Sequence, residues 1–389
     1  MSDARVQRLA EVVVHYSLDL QPGELVLIQG PAVAEPLLVE LATVATRAGA
    51  IARMRVGVAG TDEAFLSRAG EAQLDHMPEW ALAEVEHIDA RISVHAAWNT
   101  REMTGVDPSA MARRSRAATP LMERFMDRSA SGDLRWCVTA YPCAAFAQDA
   151  DMSLDAYADF VYGAAWLDLD DPVAAWRRYA DVLRRLADRM AGVRTLRVVG
   201  DGTDLTVGVG GRTWIPAVGD RNFPDGEVFT GPVEEETSGT VRFTYPAVMG
   251  GREVSDVRLR FEGGRVVEST ATTGEDYLHQ MLGMDDGATV LGEFAIGTNY
   301  AVDRFTKQIL FDEKIGGTCH MALGAGYPDT GSVNRSALHW DMVCDLRDGG
   351  EIHADGEVIY RDGRFLADFF DEDITVREPA ASPAGPRGS

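Results

Sequence analysis

The chain has 389 residues, 46% hydrophobic and 25% charged, with 37 basic against 61 acidic side chains and a formal net charge of −24. This length supplies two or three domains and a sizeable core. The acidic balance excludes binding to a phosphate backbone or to anionic lipid, which both need clustered Lys and Arg.

The opening stretch, MSDARVQRLAEVVVHYSLDL, breaks its apolar residues with charge, unlike a secretory leader. Val6, Leu9, Val13 and Tyr16 recur at helical spacing. Gln21-Pro22-Gly23 makes a turn, and the apolar run 25–28 reads as a buried strand. A helix over 36–48 stops at Gly49, and 51–58 reads as the next strand. Strand, helix and strand in close succession predict an open α/β sheet. Further strands are expected over 88–96, 135–140 and 195–200. Pro172 at the first position and Gly192 past the last turn punctuate a long helix. Its stripe of Val173, Trp176, Ala180, Leu183, Ala187 and Met190 reads as core.

After about residue 194 the segments become short, β-branched and separated by Gly or Asp-Gly turns, as over 240–245, 257–261, 265–270 and 351–361. GDGTDLTVGVGG fails the dinucleotide-binding glycine pattern and reads as a hairpin. The expected fold class is therefore α/β: an N-terminal open α/β sheet domain, 1–194, and a C-terminal β-rich α+β domain, 195–378. The tail, 379–389, lacks large apolar residues and is expected to be disordered. No apolar run approaches the roughly 20 residues of a membrane helix. The four cysteines, Cys137, Cys143, Cys319 and Cys344, form no Cys-x-x-Cys pair and are too sparse for a disulfide framework. A reducing, cytoplasmic setting follows.

Six of the eight histidines stand alone, with no ligand-like partner at short spacing. His339-Trp340-Asp341 is different, because residues i and i+2 of a strand share a face. The imidazole and the carboxylate then project together, as half of a metal site or as a structural ion pair. His320 follows DEKIGGTC, with Glu313 upstream; Glu293 sits in the apolar stretch LGEFAIG, and Glu227 follows an Asp-Gly turn in DGEVFTGP. Each glutamate taken singly could cap a strand end. Together, three Glu, two His and one Asp suffice to bind two divalent cations. Cys319 and Cys344 fall on the opposite strand face and read as small core residues.

DGEVFTGP, LGEFAIG, FDEKIGGTCHMALG, a Tyr seven residues after that His, and HWDMV occur in this order. Together they resemble the aminopeptidase T and S family of dinuclear metallo-aminopeptidases. HYSLDLQPGELVLIQG near the start is similar to the same family. The resemblance implies metal ligands at Glu227, Glu293, His320, His339 and Asp341, with Glu293 bridging. It implies that Glu313 is a ligand or the catalytic acid/base and that Tyr327 is the active-site tyrosine. Some members place the histidine five residues after the FDE glutamate; here the gap is seven, with Gly316-Gly317 in the loop.

The implied activity is removal of the N-terminal residue from short peptides with a free N-terminus. It would use two divalent ions (zinc, cobalt or manganese) in a homodimer. An alternative on the same scaffold is a mononuclear non-haem iron ring-cleaving dioxygenase, with His320, His339 and Asp341 as a facial triad. Such a site has no use for Glu227, Glu293 and Glu313 together. A non-catalytic binding protein would have no need of an intact ligand set.

Overall fold

The computed structural model describes residues 3–374. The expected tail, 379–389, lies outside the described residues. Two compact units are present: one holds the chain up to residue 173 together with 219–224, the other holds 174–218 and the chain from 225 onward. The expected α/β class is the observed one, with a parallel sheet in the first unit and antiparallel sheets in the second.

The first unit begins with the helix Ala4–Val12, which buries Val6, Leu9, Ala10 and Val12. The Asp3 carboxylate caps it by accepting from the Arg5 amide at 2.9 Å. The sheet follows the order Ile51–Gly57, Leu25–Pro31, Ala90–His95, Arg135–Ala140, Asn222–Phe223, with every pairing parallel. Val26, Leu27 and Ile28 are buried in its second strand, as expected where helices cover both faces. The last strand comes from the returning segment 219–224 and pairs over only two residues, too few for a periodic signal.

The helix Pro172–Met190 buries Trp176, Tyr179, Ala180, Leu183, Ala187 and Met190. It precedes the expected division at residue 194, yet it packs within the second unit, where Tyr179 Oη and Thr298 Oγ1 share a hydrogen bond of 2.7 Å. That unit contains an eight-stranded antiparallel sheet. Its hairpin, Thr195–Gly200 with Thr203–Gly208, turns at Asp201-Gly202, as the glycine-rich stretch predicts.

A second antiparallel sheet of five strands carries the functional residues. Its order is His339–Asp345, Thr318–Gly324, Leu291–Gly297, Glu227–Thr230, Ile215–Ala217. All seven residues of both Leu291–Gly297 and Thr318–Gly324 are buried, so these strands form the middle of the unit. No described helix is long and apolar enough to cross a membrane.

Candidate metal centre

The register of the five-stranded sheet places the expected ligands on one face. Ala322 pairs with Glu293 on one side and with Asp341 on the other. Ala295 pairs with His320, Gly324 with His339, and Gly297 with Glu227. His320 has Ala295 on one side and Val343 on the other, and each of these long polar side chains thus has an alanine or glycine as a cross-strand neighbour on at least one side. These small residues leave open space above the sheet where the carboxylates and imidazoles converge. The other face carries Phe294, Ile296, Met321, Leu323, Trp340 and Met342, all buried. Cys319 and Cys344 face each other there, directly opposite in the register and hydrogen-bonded, away from the ligands.

Glu227 enters from the turn Asp225-Gly226. Gly226 has φ +129°, and a Cβ there would lie 2.7 Å from Tyr179 Oη and 2.8 Å from Asn299 Cβ. Only glycine fits, for reasons of both conformation and space.

Glu227, Glu293 and His320 are all at most 5% exposed. His320 Nε2 lies 3.3 Å from Glu293 Oε1 and 3.5 Å from Glu227 Oε2. His339 Nε2 lies 3.6 Å from Glu293 Oε2 and 3.5 Å from Asp341 Oδ1. The two oxygens of Glu293 therefore serve different histidines. Glu227, Glu293 and His320 form one group with ligand atoms within 4.8 Å of one another; Glu293, His339 and Asp341 form a second, and Glu313, His320 and Asp341 a third. Among the described residues no such group joins both histidines.

Both imidazoles are oriented from behind. His320 Nδ1 donates to the Glu313 carbonyl at 3.1 Å, and His339 Nδ1 donates to the Ala325 carbonyl at 2.8 Å. A carbonyl only accepts, so Nδ1 carries the hydrogen and Nε2 faces the carboxylates, as in metal-ligating histidines. Two carboxylate oxygens, Glu227 Oε2 and Asp341 Oδ1, are buried without a hydrogen-bond partner among the described residues. Orphaned buried oxygens beside imidazole nitrogens fit a bound cation.

The electrostatics reflect the crowding of carboxylates around the two imidazoles. Burial opposes charge on both imidazoles, but the surrounding carboxylates outweigh it and push His320 up to about 9 and His339 up to about 10. Burial raises Glu227 to about 8 against the pull of Lys314 and His320. It raises Glu313 as well. Asp341 goes the other way: burial works against its charge, and His339 more than compensates.

The sequence-expected residues come together. Glu313 follows the short helix Ile309–Asp312. The Tyr327 ring stands edge-on to His339, with centroids 5.3 Å apart, and to Phe229 at 5.7 Å. It is 44% exposed, so it lies at the mouth of the site.

Two residues of the cluster escape the sequence reading, Lys314 and Asp225. Lys314 Nζ lies 2.6 Å from Glu227 Oε1, 2.7 Å from Glu313 Oε1 and 3.3 Å from Asp225 Oδ1, with every partner largely buried. A signal was available. Only Lys307 and Lys314 are lysines among the 37 basic residues, so a lysine in this chain is an exception to the use of arginine.

The thermophilic metalloprotease (M29) family model matches residues 2–365. The chain belongs to this family. Aminopeptidase 2 of Geobacillus stearothermophilus is 28% identical, with 93% of this chain and 98% of that protein covered. Aminopeptidase T of Thermus thermophilus is 26% identical, over 92% of this chain and 95% of its own. Among solved structures, wild-type AmpT from Thermus thermophilus superposes with a TM-score of 0.82 at 26% identity, covering 93% of this M29 chain and 99% of its own. These relatives are named as peptidases, and the ring-cleaving dioxygenase alternative finds no support among them.

Proposed function

We propose that this M29 protein is a metal-dependent aminopeptidase that removes the N-terminal residue from short peptides. In this reading one divalent ion belongs to Glu227, Glu293 and His320, and a second to Glu293, His339 and Asp341. Zinc, cobalt and manganese all suit such a mixed carboxylate and imidazole set. The observation that carries the reading is the division of Glu293 between two ligand groups.

Charge balance supports it. Asp225, Glu227, Glu293, Glu313 and Asp341 are five carboxylates, and Lys314 is the only ammonium among them, leaving a formal charge of minus four. Two divalent ions cancel that charge, and buried charge without compensation is costly. One ion would leave minus two.

When bound, the ions would supply Lewis acidity, lowering the pKa of a water and polarising the scissile carbonyl. The residues of the chain supply the rest. Glu313 takes the proton of the attacking water and returns it to the leaving amine. Its side chain is 14% exposed, which gives it access to water from the mouth of the site. Tyr327 donates a hydrogen bond to the oxyanion of the tetrahedral intermediate. The overall acidity of the chain, with a formal net charge of −24, favours the approach of the free α-ammonium of a peptide. The reading also takes the working form to be a cytoplasmic homodimer.

The test is cleavage of Leu-p-nitroanilide by protein purified without chelator, alongside the N-acetylated substrate. Cleavage should require the free amine, stop on chelation and return with zinc, cobalt or manganese. Glu293→Ala should abolish cleavage and metal uptake together. Cleavage that survives complete metal removal would refute the assignment.

A further inference from the structure

Lys314 is 1% exposed and reaches Glu227, Glu313 and Asp225 at once. An ammonium has three donor hydrogens, and three carboxylates surround it: it donates to Glu227 Oε1 at 2.6 Å and pairs with Glu313 Oε1 at 2.7 Å and Asp225 Oδ1 at 3.3 Å. The surrounding backbone is tied down as well. The Lys314 amide donates to the Phe311 carbonyl at 3.0 Å, and the Asn299 amide donates to the Lys314 carbonyl at 3.0 Å. Asp225 Oδ1 also accepts from the Gly226 amide at 3.0 Å, and Asn299 Nδ2 donates to the Asp225 carbonyl at 2.9 Å. A flexible four-carbon stem has become a fixed post.

The post constrains two glutamates. Glu227 gives Oε1 to Lys314, so Oε2 is the oxygen left without a hydrogen-bond partner among the described residues, 3.5 Å from His320 Nε2. Glu313 also gives Oε1 to Lys314, which leaves it one oxygen for the reaction. No residue of the Glu293, His339 and Asp341 group pairs with Lys314 among the described residues.

We infer that Lys314 is a positioning residue acting on one side of the centre: it turns Glu227 Oε2 toward the Glu293–His320 ion position and reserves Glu313 for proton transfer. The inference rests on the two-ion reading above. Arginine cannot take over, because a planar, longer guanidinium does not fit a fully buried point-charge site. A lysine at this position, in a chain that otherwise uses arginine almost throughout, is consistent with that requirement.

The experiment uses the full chain, stripped by chelator, dialysed and titrated with zinc against a chromophoric competitor. Wild type should take two equivalents. Lys314→Met should weaken one equivalent by about tenfold or more, ~1.4 kcal/mol, and leave the other within about twofold. Its kcat should fall while KM stays within about threefold. Lys314→Arg should not rescue either quantity. Asp225→Asn/Lys314→Met removes one charge of each sign and takes the same test should the single variant fold poorly. Unchanged binding of both equivalents would overturn the inference. So would equal weakening of both, the signature of a merely structural role. A wild type that takes only one equivalent would overturn the two-ion reading, and the inference with it.

Discussion

Ala322 stands directly opposite Asp341 on one side and Glu293 on the other in the strand register, so its methyl group lies on the sheet between the two carboxylate-bearing residues. The spacing of the centre depends on this small residue as much as on the ligands. Ala322→Val places two extra carbons between Glu293 and Asp341. Overpacking of this kind costs about 1–3 kcal/mol. The variant should still fold, with a modestly lower Tm, and lose about 100-fold or more in kcat/KM. Melting curves beside peptide hydrolysis check this; full activity would show that the space above Ala322 is not used.

Tyr327 packs its ring on His339 and Phe229, and the hydroxyl is not needed for that packing. Tyr327→Phe should leave stability and metal content unchanged. Removing a single oxyanion donor lowers kcat by about 10²–10³. A steady-state comparison should show that loss in kcat with KM little altered. A variant with wild-type kcat would remove Tyr327 from the chemistry.

The two imidazoles predict opposite pH responses for ion-free and loaded protein. Carboxylate neighbours overcome burial and hold His320 at about 9 and His339 at about 10, above the ordinary 6.5. A raised imidazole stabilises the fold fully below its unfolded value and loses that contribution as pH climbs through the folded one. Glu227, lifted by burial to about 8, acts in the same direction between its ordinary 4.5 and 8. Chelator-treated protein should therefore melt at steadily lower temperature from about pH 6 to pH 10. Metal affinity should rise over the same window, because ions replace the protons. Melting curves across this range, with and without zinc, check both; parallel curves would contradict the assignment.

Much of this centre was legible in the sequence. His339-Trp340-Asp341 fixes a shared strand face by the period of two, and the glutamates stood out because apolar strands rarely carry them. The alternation in LGEFAIG and TCHMALG also places Ala or Gly beside each ligand, but its meaning emerges only once Glu293, Ala322 and Asp341 are aligned by register. The role of Lys314 is not legible in the sequence, because a lysine beside Glu313 looks like a solvated pair on a surface. Its burial depends on Asp225 and Glu227, almost ninety residues upstream. The strand Asn222–Phe223 was illegible for a different reason, since two residues carry no period.

Gly226 links the turn to the ligand that follows it. Its φ of +129° and the close approach of Tyr179 Oη and Asn299 leave no room for a methyl group. Gly226→Ala should cost on the order of 2–4 kcal/mol, from backbone strain together with overpacking. It should also weaken metal binding, because Glu227 moves with the turn. Denaturant unfolding and a zinc titration measure the two effects, and a neutral result in both would contradict the role given to the turn.

The central claim is that Glu293 lies between two ion positions. Anomalous scattering from crystals of the zinc-loaded protein, collected at the zinc edge, tests it most directly. The account predicts two peaks, about 3.5–4 Å apart as in other two-metal sites, one beside His320 and one beside His339, with an oxygen of Glu293 facing each. A single peak, or a pair that leaves Glu293 outside the coordination, would contradict it.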